Sequence, residues 1–158
     1  MNPKIRILPF QPEHQTGITD MMENIALEFT EAIFTEKSKK IIDVFSVPNN
    51  KFWVAIDRNK VAGTIGMVKL TNENIVLKSM FVDKTYRGQG ISNLLLDTLL
   101  KWAIQNKYKQ IYLGTMKQFS AGQRFYEKNG FVKCNKTELP TDFAINTLDT
   151  IFYTKHLI

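Results

Sequence analysis

Apolar residues recur along this chain with two periods, and the changes from one to the other mark its elements. Ile5–Leu8 alternate as a short first strand, which Pro9 ends. From Gly17 to about Phe34, residues Ile18, Met21, Met22, Ile25, Phe29 and Ile33 fall at helical spacing. A second helical piece is expected from Lys37 to Phe45, stopped by Pro48-Asn49-Asn50. Three strand-like runs follow, Phe52–Ile56, Val61–Leu70 and Ile75–Val82. Asp57–Lys60 and Thr71–Asn74 separate them, and both are turns by residue type. Asp83–Gly90 is a loop. Ile91 to about Gln105 predicts a helix with Ile91, Leu94, Leu95, Leu99, Trp102 and Ala103 on one stripe and Asp97 and Lys101 opposite. Lys109–Leu113 is a strand, Ser120–Lys128 a short helix stopped at Asn129-Gly130, and Phe131–Asn135 and Asp149–His156 are the last strands. The order implies an α/β fold on a mixed sheet, in one domain spanning 1–158.

A chain of 158 residues fits one ordinary domain. Hydrophobic residues make up 44% and charged residues 23%, which sets it apart from disordered chains. One cysteine, Cys134, cannot form an internal disulfide, so a reducing, cytoplasmic setting is expected. No signal-peptide pattern follows Met1, and the apolar stretch near Leu94–Leu100 is too short to cross a bilayer, so no membrane association is expected. The net charge of +6 suits an anionic ligand. The lysines are spread along the chain rather than clustered, so nucleic-acid binding is not expected.

The most informative chemistry lies where a strand hands over to a helix. Ile75–Val82 runs into Arg87-Gly88-Gln89-Gly90-Ile91-Ser92, which opens the predicted helix. The first backbone N–H groups of a helix have no intrahelical partner, and its dipole adds positive charge there. Glycines let that backbone approach an anion closely. Arg87, and with it Lys84, adds full positive charge, and a pyrophosphate is the implied ligand. The loop lacks the Gly-Lys-Ser/Thr of a Walker A motif and the third glycine of the dinucleotide fingerprint.

Arg87-Gly88-Gln89-Gly90-Ile91-Ser92 resembles the Arg/Gln-x-x-Gly-x-Gly/Ala loop of the Gcn5-related N-acetyltransferase (GNAT) superfamily, with Ser92 at the last place. Lys78–Asp83 with Tyr86 resembles that family's fourth strand and run-in. Ala121–Phe131 resembles its second motif, and residues 138–153 resemble the ends of small bacterial members of unassigned substrate. The resemblance implies an antiparallel N-terminal meander with splayed central parallel strands and flanking helices. It implies acetyl-coenzyme A as cofactor and a primary amine as acceptor, whether a small molecule, a peptide N-terminus or a lysine. By the same resemblance Met80, Phe81 and Val82 hold the pantetheine arm through their main chain, and Arg87 to Ser92 hold the pyrophosphate. The thioester falls between Ser79–Met80 and Leu113–Gly114. Tyr126 is the catalytic candidate that protonates the leaving thiolate, and Arg124 or Lys128 meets the 3′-phosphate. A homodimer is compatible with the family.

The general base is left open. Lys78 and Ser79 stand where many relatives carry a glutamate, and Glu28, Glu31 and Glu36 are candidates in the acceptor-side region. Phe119-Ser120 replaces an asparagine common in relatives. The missing glutamate keeps a non-catalytic coenzyme A-binding regulator as the alternative; a basic nucleic-acid-binding module ranks below it. His14 and His156 lack companions at ligand spacing, so no metal is expected. Cys134, Trp53 and Trp102 are expected in the core, as are Phe29, Phe34 and Phe45, whose other reading is an acceptor slot.

Overall fold

The computed structural model describes residues 4–34 and 47–157. Seven strands form one sheet in the order β1-β2-β3-β4-β5-β7-β6. They are β1 Ile5–Pro9, β2 Lys51–Asp57, β3 Lys60–Lys69, β4 Asn74–Val82, β5 Gln110–Thr115, β6 Val132–Cys134 and β7 Ile151–His156. The helices are α1 Gln15–Ala26, α2 Ile91–Gln105 and α3 Ser120–Lys128. β1 to β4 form an antiparallel meander. β4 and β5 are parallel, and β7 pairs antiparallel with both β5 and β6. The mixed α/β sheet expected from the sequence is therefore present.

The central strands are apolar at nearly every position because both faces of the sheet are covered. On β2, Trp53 and Ala55 join Leu95 and Leu99 of α2 in one core, while Phe52, Val54 and Ile56 join Ile18, Met21 and Ile25 of α1 in another. Burying each of these large side chains is worth about 1.5–3 kcal/mol. α2 buries Leu96 as well, which the predicted stripe left out, while Leu94 and Trp102 are half-buried.

Several boundaries differ from expectation, and three of them bear on the site. α1 stops at Ala26, well before Phe34. Its end tightens into three-residue turns, with Glu28 N donating to Ile25 O at 3.0 Å and Phe29 N to Ala26 O at 3.2 Å. Past that point the chain seats rings instead: Phe29 lies edge-on to Phe119, and Phe34 to Phe81. Ile33 is buried without belonging to the helix, so its helical spacing reflects core packing alone. β5 runs on to Thr115, because pairing with β7 continues to Ile151. β7 begins at Ile151, which leaves Asp149 and Thr150 in the irregular segment before it. The helix expected over Lys37 to Phe45, together with Glu36 and Phe45, lies outside the described residues.

Candidate active site

β4 and β5 pair only at their first residues: Asn74 with Gln110, Ile75 with Ile111, and Val76 with Tyr112. Both strands then continue, but diverge. Among the described residues, 77–82 lie against β3 on one side and have no strand partner on the other, and 113–115 pair with β7 and have no strand partner on the side of the gap. Backbone amides and carbonyls therefore face a gap, ready to bond an extended ligand as an added strand would.

A bulge sharpens the divergence. Between β3 and β4 the pairing slips from Gly66–Lys78 to Thr64–Phe81, so β4 holds one extra residue. Ser79 takes φ 55°, a region a non-glycine residue enters only when its surroundings hold it there. Thr64 supplies that hold: fully buried, its hydroxyl donates to Ser79 O at 2.7 Å.

The gap opens into a cavity of about 630 Å³, whose lining includes Lys78, Met80, Val82, Gly114, Tyr126 and Asp149. On the α1 side its wall is apolar, with Met22, Ile25, Phe29, Ile33 and Phe34 facing Phe81 and Phe119. Phe29 and Phe34 are thus both half-buried packing residues and wall of the cavity.

At the other end the chain turns from β4 into α2. Asp83 pins this turn by accepting from the Thr85 amide at 2.9 Å and its hydroxyl at 2.7 Å. Gly88 and Gly90 both have φ 81°, and a Cβ at either would meet nothing within 4 Å among the described residues, so none of these fills the space beside the loop. Gly90 is the N-cap, and the helical ladder begins with Leu94 N donating to Gly90 O at 3.1 Å. The amides of Ile91, Ser92 and Asn93 precede that bond and are the helix's orphan donors. The sequence placed an anion site here on the same grounds.

Arg87 points differently from the role the sequence suggested. Its Nη1 and Nη2 fork onto Glu28 at 2.6 and 2.9 Å, and its Nε donates to Val82 O at 3.1 Å. The guanidinium thus ties the glycine loop to the segment after α1. Met80, Phe81, Val82, Arg87, Ser92 and Tyr126 all line the one cavity. Gln89 is half-buried beside the two glycines, while the Ile91 side chain is core, leaving its amide as the group available to a ligand. Arg124 is exposed on α3 and lies outside the cavity lining.

Tyr126 is buried against Phe125, Phe131 and Tyr153. Burial, with smaller contributions from Asp149 and Tyr153, pushes its phenol well above the ordinary range, so it stays protonated. Tyr153 is committed elsewhere, donating to Glu127 at 2.6 Å. The sequence reading missed two features here. Asp149, taken for the start of a strand, packs against Gly114: a Cβ on that glycine would lie 2.6 Å from Asp149 Oδ2. Gly114 therefore makes room for a side chain, and it is this carboxylate that the gap receives. Lys78 is the second: burial lowers its ammonium, and attraction to Asp149 partly restores it. Gly114 was the available signal, but only the fold says what lies opposite. Among the described residues no group of three His, Cys, Asp or Glu side chains could hold a metal, and no helix is long and apolar enough to cross a membrane.

Comparison with known proteins agrees with this architecture. Residues 18–131 match the model of the acetyltransferase (GNAT) family. The chain superposes on an acetyltransferase of the GNAT family from Staphylococcus aureus Mu50 with a TM-score of 0.91 at 29% identity, covering 98% of this chain and 99% of that one. It shares its fold with an aminoglycoside 6′-N-acetyltransferase complexed with coenzyme A, with a TM-score of 0.73 at 21% identity over 97% of each chain. In sequence it is 39% identical over 85 residues to N-acetylaspartate synthetase of Xenopus tropicalis, across 53% of this chain and 31% of that protein. The chain spans between 31% and 58% of the length of the first curated relatives it matches.

Proposed function

The chain belongs to the GNAT acetyltransferase family, and from that premise we propose that it transfers an acetyl group from acetyl-coenzyme A to a primary amine. The observation that carries this reading is that the cavity at the β4–β5 gap reaches Arg87 and Ser92, which flank the glycine loop at the head of α2. A long ligand with a diphosphate at one end and an extended amide-bearing arm at the other fits that path. The loop amides of Gly88 to Ser92 take the diphosphate. The free edge of Met80, Phe81 and Val82 takes the arm. Bound acetyl-coenzyme A supplies an activated acyl group and a sulfur leaving group.

The chain's own residues do the rest. The apolar wall at Phe29, Phe34, Phe81 and Phe119 excludes water from the reacting end and strengthens electrostatic interactions there. Tyr126, held protonated, donates to the departing sulfur. Glu28, tied to Arg87, braces the two walls. Arg87 acts on the diphosphate indirectly, by fixing the loop. Arg124 is exposed, where it can meet a phosphate outside the cavity. The acceptor enters from the α1 side with an aliphatic amine, which must lose a proton before it can attack.

The test is thiol release from acetyl-coenzyme A with L-aspartate, kanamycin, spermidine and a lysine peptide as acceptors. The first two are chosen after the substrates in the relatives' names. Turnover with any of them supports the reading. Tight coenzyme A binding with no turnover on a wider amine panel would instead favour a non-catalytic regulator, the reading suggested by the lack of a glutamate at Lys78.

A further inference from the structure

Asp149 stands in a wall shared by two cavities. On one side is the strand gap, where Lys78 of β4 and Tyr126 of α3 face it. On the other is a second, more open cavity of about 570 Å³, bordered by Lys133, Cys134, Lys136 and Glu138. From this placement we propose that Asp149 is the general base, taking a proton from the acceptor's ammonium in the gap and releasing it to water in the second cavity. The proposal rests on the acetyl-transfer reading above and names the group that reading leaves unassigned.

The backbone around Asp149 is fixed from both sides. Its N–H donates to Asn146 O at 3.0 Å, Leu148 N donates to Asn146 Oδ1 at 3.0 Å, and Thr150 N donates to Thr115 O at 3.0 Å. Gly114 leaves space for the carboxylate and for nothing on its own Cα. Among the described residues lining the gap, Asp149 supplies the one carboxylate. Of the earlier candidates, Glu28 is bound to Arg87 at 2.6 Å and Glu31 is exposed, while Glu36 lies outside the described residues. Burial raises the Asp149 carboxyl to about 6, against the opposing pull of Lys78. A base in that range is ionised at neutral pH yet basic enough to share an amine's proton. Lys78 is thus a positioning charge, holding the carboxylate ionised in a half-apolar site.

The step balances. The ammonium gives one proton to Asp149. The neutral nitrogen then forms its bond to the acetyl carbon as the carbon–sulfur bond breaks. The nitrogen loses a second proton, and the sulfur gains one from the Tyr126 hydroxyl, which the nitrogen's proton restores. The products are an amide, a free thiol and one proton released through Asp149.

The experiment compares wild type with Asp149→Asn on two small probes, ethylamine and hydroxylamine, the second being largely neutral at the assay pH. Thiol release is the readout. Loss of a general base costs on the order of 100-fold in kcat/KM with ethylamine, regained as pH rises, and only about threefold with hydroxylamine. Equal losses with both probes, or no loss, overturn the assignment. Unchanged coenzyme A affinity in the variant shows that it folds. A carbon-13 titration of the Asp149 carboxyl adds a readout free of turnover. A midpoint near 6 that moves when coenzyme A is added supports the proposal; an ordinary carboxylate midpoint indifferent to coenzyme A overturns it. Failure of the acetyl-transfer reading is distinguishable. Wild type would then release thiol with neither probe, whether or not its carboxyl responds to coenzyme A, which overturns this proposal as well.

Discussion

The two ends of the cavity are built from different materials. At the loop end the chemistry is backbone: amides at the head of α2, exposed by Gly88 and Gly90 and pinned by Asp83 within a few residues of sequence. At the acceptor end it is side chain: Lys78, Tyr126, Asp149 and a set of phenylalanines drawn from widely separated segments. A backbone site depends on local conformation and tolerates changes in neighbouring side chains. A side-chain site depends on the whole fold to bring its parts together. Substitutions at one end should therefore separate binding from chemistry at the other.

The largest expected effect is at the loop. In Gly90→Glu, a side chain forced to φ 81° and a negative charge aimed at the diphosphate together weaken acetyl-coenzyme A binding by about 100-fold, measured by calorimetry. Next is Gly114→Val. Its branched side chain takes the space of the Asp149 carboxylate, so kcat should fall by about 30-fold while coenzyme A affinity stays within about twofold. A binding loss equal to the rate loss would erase the distinction between the two ends. Tyr126→Phe should lower kcat by about tenfold, roughly 1.4 kcal/mol, without changing KM for acetyl-coenzyme A. Unchanged turnover would make Tyr126 a packing residue beside Phe125 and Phe131.

The smallest effect has the opposite sign. Asp149 titrates near 6 in the folded protein, above the ordinary carboxyl value of about 3.9. Between those values the folded state binds more protons than the unfolded, so this group lowers stability as pH rises through the interval. Asp149→Asn removes that burden. Discounted for its half-exposed position, the variant should gain about 1 kcal/mol at pH 8 and nothing near pH 3. Denaturant melts at the two pH values check this. A variant destabilised at pH 8 would mean that Asn cannot sit beside Lys78.

The same contrast explains what could be read in advance. The bounds of α2 and α3 match their periodicity, because each turns one apolar face to a core and ends at a recognisable stop. The glycine loop was legible because its signal is contiguous. α1 was read too long because Phe29 and Ile33 keep helical spacing while packing from irregular backbone. Asp149 was hidden because its partners Gly114, Tyr126 and Lys78 lie 35, 23 and 71 positions away. Sequence spacing carries no trace of such a meeting; the sheet order β4-β5-β7 creates it. Arg87 shows the complementary limit. Its position was legible, but its bond to Glu28, on a segment 59 residues earlier, was not.

The most direct test of the central claim is a backbone-amide NMR titration of the protein with coenzyme A. The largest shifts are expected on Met80 to Val82, Gly88 to Ser92 and Gly114, tracing one path from strand edge to helix head. Binding that left those amides unmoved, or shifts gathered on another face of the sheet, would contradict it.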